Sequence, residues 1–311
     1  MSAPSGVLDK AGARRIAREV LARERPGAPF GLGCLKNRED PMASQVFCAD
    51  RPGTRLTVKL WAPELADKAA AQAARHRAVA ARLMGAQEVL FFDPEARCLG
   101  LSYADGPTLS ELWPVLAPAA RIDRLHEAGR WLAEFHHLSR RDQPFRPAGQ
   151  IAWLNRLEAW FDAGERHIPD IAAFRAEVRA MEALAAAVRR RPAQRAITHR
   201  DLHLDNLVLT PAGLCGLDFE NPKEDEPYRD LVWLLIHAVS LADDATPLSD
   251  FAAALARGYG DGVTEPPLRL FLQRLFALGV WAATPEAPSL RQSARYAAAR
   301  EIVAAPEPLL V

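Results

Sequence analysis

Apolar positions change their spacing along the chain in a way that divides it in two. Over residues 9–25, Ile16, Val20 and Leu21 recur at helical intervals among many arginines, which predicts an amphipathic surface helix ended by Pro26 and Gly27. Residues 45–49 and 55–61 are short, strand-like runs on either side of Asp50, Arg51, Pro52 and Gly53, which reads as a hairpin. Pro63 then opens an alanine- and arginine-rich helix expected to run to about Met84. Two more strands follow at 89–92 and 98–103, and residues 104–108 form a linker containing Asp105, Gly106 and Pro107. Beyond the linker the helical period dominates, at 123–138, 153–164, 171–190, 228–241 and 250–259. Leu125, Leu132 and Phe135 mark the buried face of the first of these, while Trp153, Trp160 and Phe161 are expected to cluster, with core packing the favoured role and a substrate wall the alternative. The fold class is α+β, with a small N-terminal antiparallel-sheet lobe over residues 1–104 and a larger, mainly helical lobe over 105–311.

One segment departs from simple periodicity. In residues 197–209 an apolar strand leads into His199, Arg200 and Asp201, and Asn206 precedes a second apolar run. Gly216, Leu217, Asp218, Phe219 and Glu220 follow shortly after. The pattern H-R-D-x-x-x-x-N followed by D-F-E supplies what phosphoryl transfer requires. A carboxylate, Asp201, is placed to orient an acceptor hydroxyl and take its proton. A carboxamide and a second carboxylate, Asn206 and Asp218, offer the oxygen ligands that a hard Mg²⁺ ion prefers. His199 reads as a brace for the loop. The bland reading of the same stretch is a polar hairpin whose Asp201, Asp205 and Asn206 are ordinary turn residues. The joint occurrence of the four residues between apolar strands favours the catalytic reading.

Lys59 adds to this, because it stands in mid-strand among apolar neighbours, where it reads as a nucleotide-phosphate lysine rather than an edge-strand solubiliser.

Composition narrows the class of partner. Lysine plus arginine number 39 and aspartate plus glutamate number 39, so no basic excess points to nucleic acid or an anionic membrane. Cys34, Cys48, Cys98 and Cys215 are scattered, which argues against a disulfide framework or a zinc site and for a cytoplasmic protein with reduced thiols. The longest apolar run, 231–242, is interrupted by His237 and too short to span a bilayer.

These residues together resemble the aminoglycoside phosphotransferase and choline kinase superfamily, small-molecule kinases that share the protein-kinase fold. The resemblance rests on Lys59, on Tyr103 to Gly106 as a hinge, on Phe135-His136 at a helix end, on Asp201, Asn206 and Asp218, and on Asp230-Leu231 opening the next helix. Spacing separates the chain from protein kinases. Two helices intervene between His137 and His199, and Asp230 follows Asp218 too closely for an activation segment.

The resemblance implies an ATP-dependent enzyme, with GTP as a possible alternative donor, that uses Mg²⁺ to phosphorylate a hydroxyl of a small metabolite. Lys59 and Ser44 would hold phosphates, and the backbone near Ser102 and Ala104 would hold the purine edge. Asn206 and Asp218 would carry the metal, Asp201 would act on the acceptor, and Asp230 would anchor the loop. Three departures stand against the pattern. The phosphate-covering segment, residues 39–46, lacks glycines. The helix after Lys59 presents Arg75, His76, Arg77 and Ala78 where an ion-pairing glutamate is expected, leaving the lysine without its partner. Arg200 replaces a usual glycine, either to meet a substrate anion or to cover the loop. The departures keep two alternatives open, a catalytically silent nucleotide-binding protein and a protein kinase-like regulator. Glu220, Glu224, Asp225 and Glu226 form either a lure for a cationic acceptor or a solvated loop. Acceptor identity and oligomeric state are not encoded in these motifs.

Overall fold

The computed structural model describes residues 7–35, 41–242, 246–260 and 264–311. The chain divides into two compact bodies, Met1–Gly106 with Thr210–Glu220, and Pro107–Leu209 with Asn221–Val311.

The first body is built on a five-stranded antiparallel sheet. Helix α1 (Lys10–Glu24) starts at Asp9, whose carboxylate accepts from the Gly12 amide at 2.6 Å, an N-cap that satisfies one otherwise unpaired N–H. Strands β1 (Gly31–Cys34), β2 (Ser44–Arg51) and β3 (Thr54–Trp61) follow, then a 3₁₀ turn and helix α2 (Ala66–Ala80), then β4 (Val89–Asp93) and β5 (Cys98–Ser102). The strand order is β1-β2-β3-β5-β4. Strand β1 is not visible in the sequence pattern because Gly31 and Gly33 leave its alternation without side chains. Of the expected phosphate-covering segment, residues 39–46, Glu39 and Asp40 lie outside the described residues.

Strand β3 is central and buried on both faces. Leu56, Val58 and Leu60 pack in one cluster with Ala13, Ala17, Val20 and Leu21 of α1. Trp61 packs in another with Ala69 and Ala73 of α2 and with Leu99 and Leu101 of β5. Successive strand residues point to opposite faces, so Lys59 shares the α2 side with Trp61. Its ammonium lies 5.1 Å from the Trp61 ring centre.

The second body is mainly helical. Helix α3 (Leu109–Leu112) opens with a capping box between Thr108 and Glu111. Helix α4 (Pro118–His137) begins before the expected residue 123, because Pro118 at its first turn is a favourable start rather than a break. Next come β6 (Arg141–Pro144), α5 (Ala148–Asp162), α6 (Ile171–Val188), β7 (Pro192–Ile197), the 3₁₀ turn Leu204–Asn206 and β8 (Leu207–Thr210). The chain then contributes residues 210–220, with β9 (Gly213–Gly216), to the first body. It returns with β10 (Glu224–Asp225), α7 (Tyr228–Leu241), α8 (Leu248–Tyr259), α9 (Pro266–Ala282) and α10 (Leu290–Ala304). Strands β10, β7 and β6 form a three-stranded sheet in that order.

Helices α4 and α8 pack closely through two glycines. A β-carbon on Gly258 would come within 2.0 Å of the His126 carbonyl oxygen, and one on Gly129 within 2.3 Å of the Leu255 carbonyl oxygen. Helix α5 corrects an expectation. Its buried residues are Leu154 and Leu157, Trp160 is exposed, and Trp153 rests against Gly279 of α9 instead of joining an aromatic cluster. Cys98 and Cys215 are buried, and none of the four cysteines is in a disulfide. Among the described residues no helix is long and apolar enough to cross a membrane.

Candidate active site

In the first body, Lys59 is 5% exposed, and its Nζ lies 2.6 Å from both Asp218 Oδ1 and Glu220 Oε1. Burial disfavours the ammonium, but the Asp218 and Glu220 carboxylates more than offset it, and the lysine pKa is raised. The expectation of an unpartnered lysine is therefore corrected. Its carboxylates come from the D-F-E turn and not from α2. Helix α2 supplies Gln72, a buried residue whose Nε2 donates to Asp218 Oδ1 at 2.8 Å, and Lys68, 2.8 Å from Glu220 Oε2. Arg75 donates to the Glu220 carbonyl. His76, where a glutamate was expected, is fully buried and meets Phe219 edge-on at 5.0 Å. Burial pushes its pKa down to about 4, so it adds no charge near neutral pH.

The remaining first-body candidates have ordinary strand or loop placements. Ser44 opens β2 and faces Trp61 across the ladder. The Ser102 amide donates to the Glu88 carbonyl at 2.9 Å, and the Ser102 carbonyl accepts from Gln87 at 2.7 Å. Its N–H is thus committed within the sheet, and Ala104, two residues further on, lies in irregular chain.

In the second body the segment that starts at His199 is held by Asp230, the first-turn aspartate of α7. Asp230 Oδ2 accepts from the His199 amide at 2.6 Å and from His136 Nε2 at 3.0 Å, while Oδ1 accepts from the Arg200 amide at 2.8 Å. His136 also lies 3.1 Å from the Tyr259 hydroxyl. Asp230 is fully buried. Burial alone would raise its pKa, but His136 and the His199 amide hold it below the usual carboxylate range. Arg200 adopts φ +66°, a left-handed conformation that glycine takes at little cost and other residues rarely do. Its side chain is 2.8 Å from Asp225, so it covers the loop from within the protein.

Asp201 projects into solvent, with a side chain 70% exposed and Oδ2 3.6 Å from His203 Nε2. Asn206 is buried, and its Nδ2 donates to the Asp201 carbonyl at 2.8 Å. That bond leaves Oδ1 as the atom Asn206 can offer a cation. An amide oxygen is a ligand type that fits Mg²⁺.

The sequence reading weighed Asp205 only as a turn residue and gave His203 and His237 no role in the site. His203 lies between Asp201 and Asp205, 3.3 Å from the latter. Burial favours its neutral form, yet the two aspartates outweigh burial and raise its pKa. His237, stacked on His203 at 5.2 Å, is driven the other way, to about 3, by burial and by Arg295. The trio His203, Asp205 and His237 has its ligand atoms close enough for a metal ion. His237 Nδ1, however, accepts from the Leu204 amide at 3.3 Å, which puts the proton of the neutral ring on Nε2 and removes that atom as a ligand. The signal available in sequence was a histidine inside the motif itself.

The acidic run after the D-F-E turn is neither a lure nor a free solvated loop. Glu224 lies 2.6 Å from Arg141, Asp225 bonds Arg200 and Arg229, and Glu226 lies 3.0 Å from Arg195. Glu226 is almost fully buried, and burial together with Asp225 pushes its pKa up to about 7.

The architecture and these motifs define a protein-kinase-like fold of the small-molecule kinase type. The model of the phosphotransferase enzyme family matches residues 42–271, so the chain belongs to that family and is a small-molecule phosphotransferase. Solved structures similar to it include a choline/ethanolamine kinase family protein from Mesorhizobium loti, at 18% identity and TM-score 0.58, covering 94% of this chain and 96% of that one. An aminoglycoside phosphotransferase from Streptomyces rimosus, solved with ADP and streptomycin, is similar at 16% identity and TM-score 0.54, covering 90% and 98%. A macrolide 2'-phosphotransferase from Brachybacterium faecium is similar at 18% identity and TM-score 0.58, covering 91% and 97%. Among curated protein sequences none matches.

Proposed function

We propose that the protein transfers the γ-phosphoryl group of ATP to a hydroxyl of a small metabolite in a Mg²⁺-dependent reaction. The observation that carries this reading is the loop from His199 to Asn206, which Asp230 fixes by two backbone amides while the Asp201 carboxylate is left projecting into solvent. In this reading Asp201 accepts the hydroxyl proton as the acceptor oxygen bonds to phosphorus and the bridging bond to the β-phosphate breaks, releasing ADP. Lys59 neutralises phosphate charge, and Asn206 and Asp218 hold the metal, which when bound neutralises charge on the transferred group. The backbone near Ala104 holds the purine edge, and Ser44 lies on the strand nearest the phosphate-covering segment in sequence.

One observation favours a second reading. The closed set of Lys59, Asp218, Glu220 and Gln72 satisfies the lysine internally, as a silent nucleotide-binding protein would. Asp201→Asn separates the two. The phosphotransferase reading expects turnover to fall by about 10²- to 10⁴-fold with Mg·ATP affinity retained. Mg·ATP binding with no transfer by the wild type to any hydroxylated metabolite would favour the silent protein, and transfer to proteins alone would favour a protein kinase-like regulator.

A further inference from the structure

We infer that the acceptor is an anionic alcohol, whose carboxylate or phosphate group docks on Arg295 and Arg291 of α10 beside Asp201. The inference rests on the phosphotransferase reading and adds to it the charge class of the substrate.

Three observations within the second body carry it. First, two arginines accompany the loop that bears Asp201. Arg291 Nη1 is 3.8 Å from Asp205 Oδ2, and the Arg295 guanidinium interacts electrostatically with Asp205 and Asp201 while sitting 5.4 Å over the Trp233 ring. Second, donors on those adjacent side chains lack protein acceptors. Arg295 Nε and Trp233 Nε1 are both shielded from solvent without a hydrogen-bond partner. A buried donor left without an acceptor carries the full cost of its desolvation, and an oxyanion bound at the Arg295 guanidinium would offset that cost there. Third, apart from Asp201, the acidic groups of this loop and of the run after it already have partners. Asp205 faces His203, and Glu224, Asp225 and Glu226 each face an arginine.

The charge balance follows from these contacts. An ammonium-bearing acceptor would meet two guanidinium groups near the hydroxyl it must present to Asp201. A carboxylate or phosphate would instead meet a planar fork suited to bidentate oxyanion binding, pre-oriented by its stacking on an indole.

The test measures phosphoryl transfer from Mg·ATP to hydroxylated compounds of matched size in three charge forms. These are hydroxy acids and sugar phosphates, neutral polyols and sugars, and amino alcohols and amino sugars. Turnover is expected to concentrate in the anionic set. Arg295→Gln should raise KM for those acceptors by about tenfold or more, the loss expected for a hydrogen bond to a charged group. Arg295→Lys, which keeps the charge, should recover part of the effect. Arg300→Gln, on the same helix but paired with Asp170, should leave KM unchanged. Turnover confined to neutral or cationic acceptors would overturn the inference and leave the phosphotransferase reading standing, as would an anionic acceptor indifferent to both Arg295→Gln and Arg291→Gln. Absence of transfer to every compound, with Mg·ATP still bound, would overturn both.

Discussion

Lys59 Nζ lies 2.6 Å from Glu220 Oε1, so the glutamate two residues beyond Asp218 does what a helix glutamate was expected to do. Asp218 is equally close, and Lys68 and Arg75 hold Glu220 from its other side. The buried ammonium therefore depends on a turn and not on a helix for its charge balance. Glu220→Gln should lower stability by about 1–3 kcal/mol, the range for a hydrogen bond to a charged group, and raise KM for ATP by loosening Lys59. Urea unfolding and steady-state kinetics check the two effects. Unchanged values in both would mean that Asp218 alone positions the lysine.

Asp230 gathers three donors with no solvent contact, so its removal leaves two loop amides and His136 without their acceptor. Asp230→Ala should cost about 3–5 kcal/mol, as breaking a buried charged network does. Asp230→Asn keeps one acceptor oxygen and should lose less stability than activity. Denaturant midpoints compared with kcat for the two variants test this ordering.

Gly258 sits where α8 meets α4. On an exposed helix a glycine-to-alanine change gains about 1 kcal/mol. Here the new methyl would meet backbone at 2.0 Å, and backbone cannot swing aside as a side chain can. Gly258→Ala should thus be destabilising, opposite in sign to the propensity effect, and so should Gly129→Ala. A rise in thermal midpoint for either would show that the two helices can separate at no cost.

His203 makes stability depend on pH. Its pKa in the folded protein is raised by Asp201 and Asp205 against the effect of burial, so the folded state binds the proton more tightly than the unfolded chain. The stabilisation is fully present below about pH 6.5, the usual histidine value, and is lost as pH rises through the folded pKa. His203→Gln should remove that fall from the stability-pH curve. The measurement is urea unfolding of both proteins at intervals from pH 6 upward.

The H-R-D-x-x-x-x-N and D-F-E motifs stand out in the sequence because they set particular side chains at short spacing, and the family they resemble is the one to which the chain belongs. The strands around Lys59 were legible because runs of β-branched and apolar residues flank a proline-glycine turn. Helices α9 and α10 were not. Helix α9 is buried nearly all round, so its apolar positions show no period, and α10 is a run of alanine and arginine with a faint one. Trp160 misled in the other direction, since a large aromatic on a helix looks like core until its neighbours are known.

The sequence by itself determined the fold class and the family, and it singled out Lys59, Asp201, Asn206 and Asp218 as candidates, because each belongs to a local pattern written within a few residues. Only the tertiary structure decided which partner each charge would take. It set Glu220 against Lys59, Asp230 beneath the His199 and Arg200 amides, and Arg291 and Arg295 near the Asp201 loop. Such pairings join residues far apart in the chain, and electrostatic energy depends on distance and burial in the folded body, neither of which spacing along a sequence can supply.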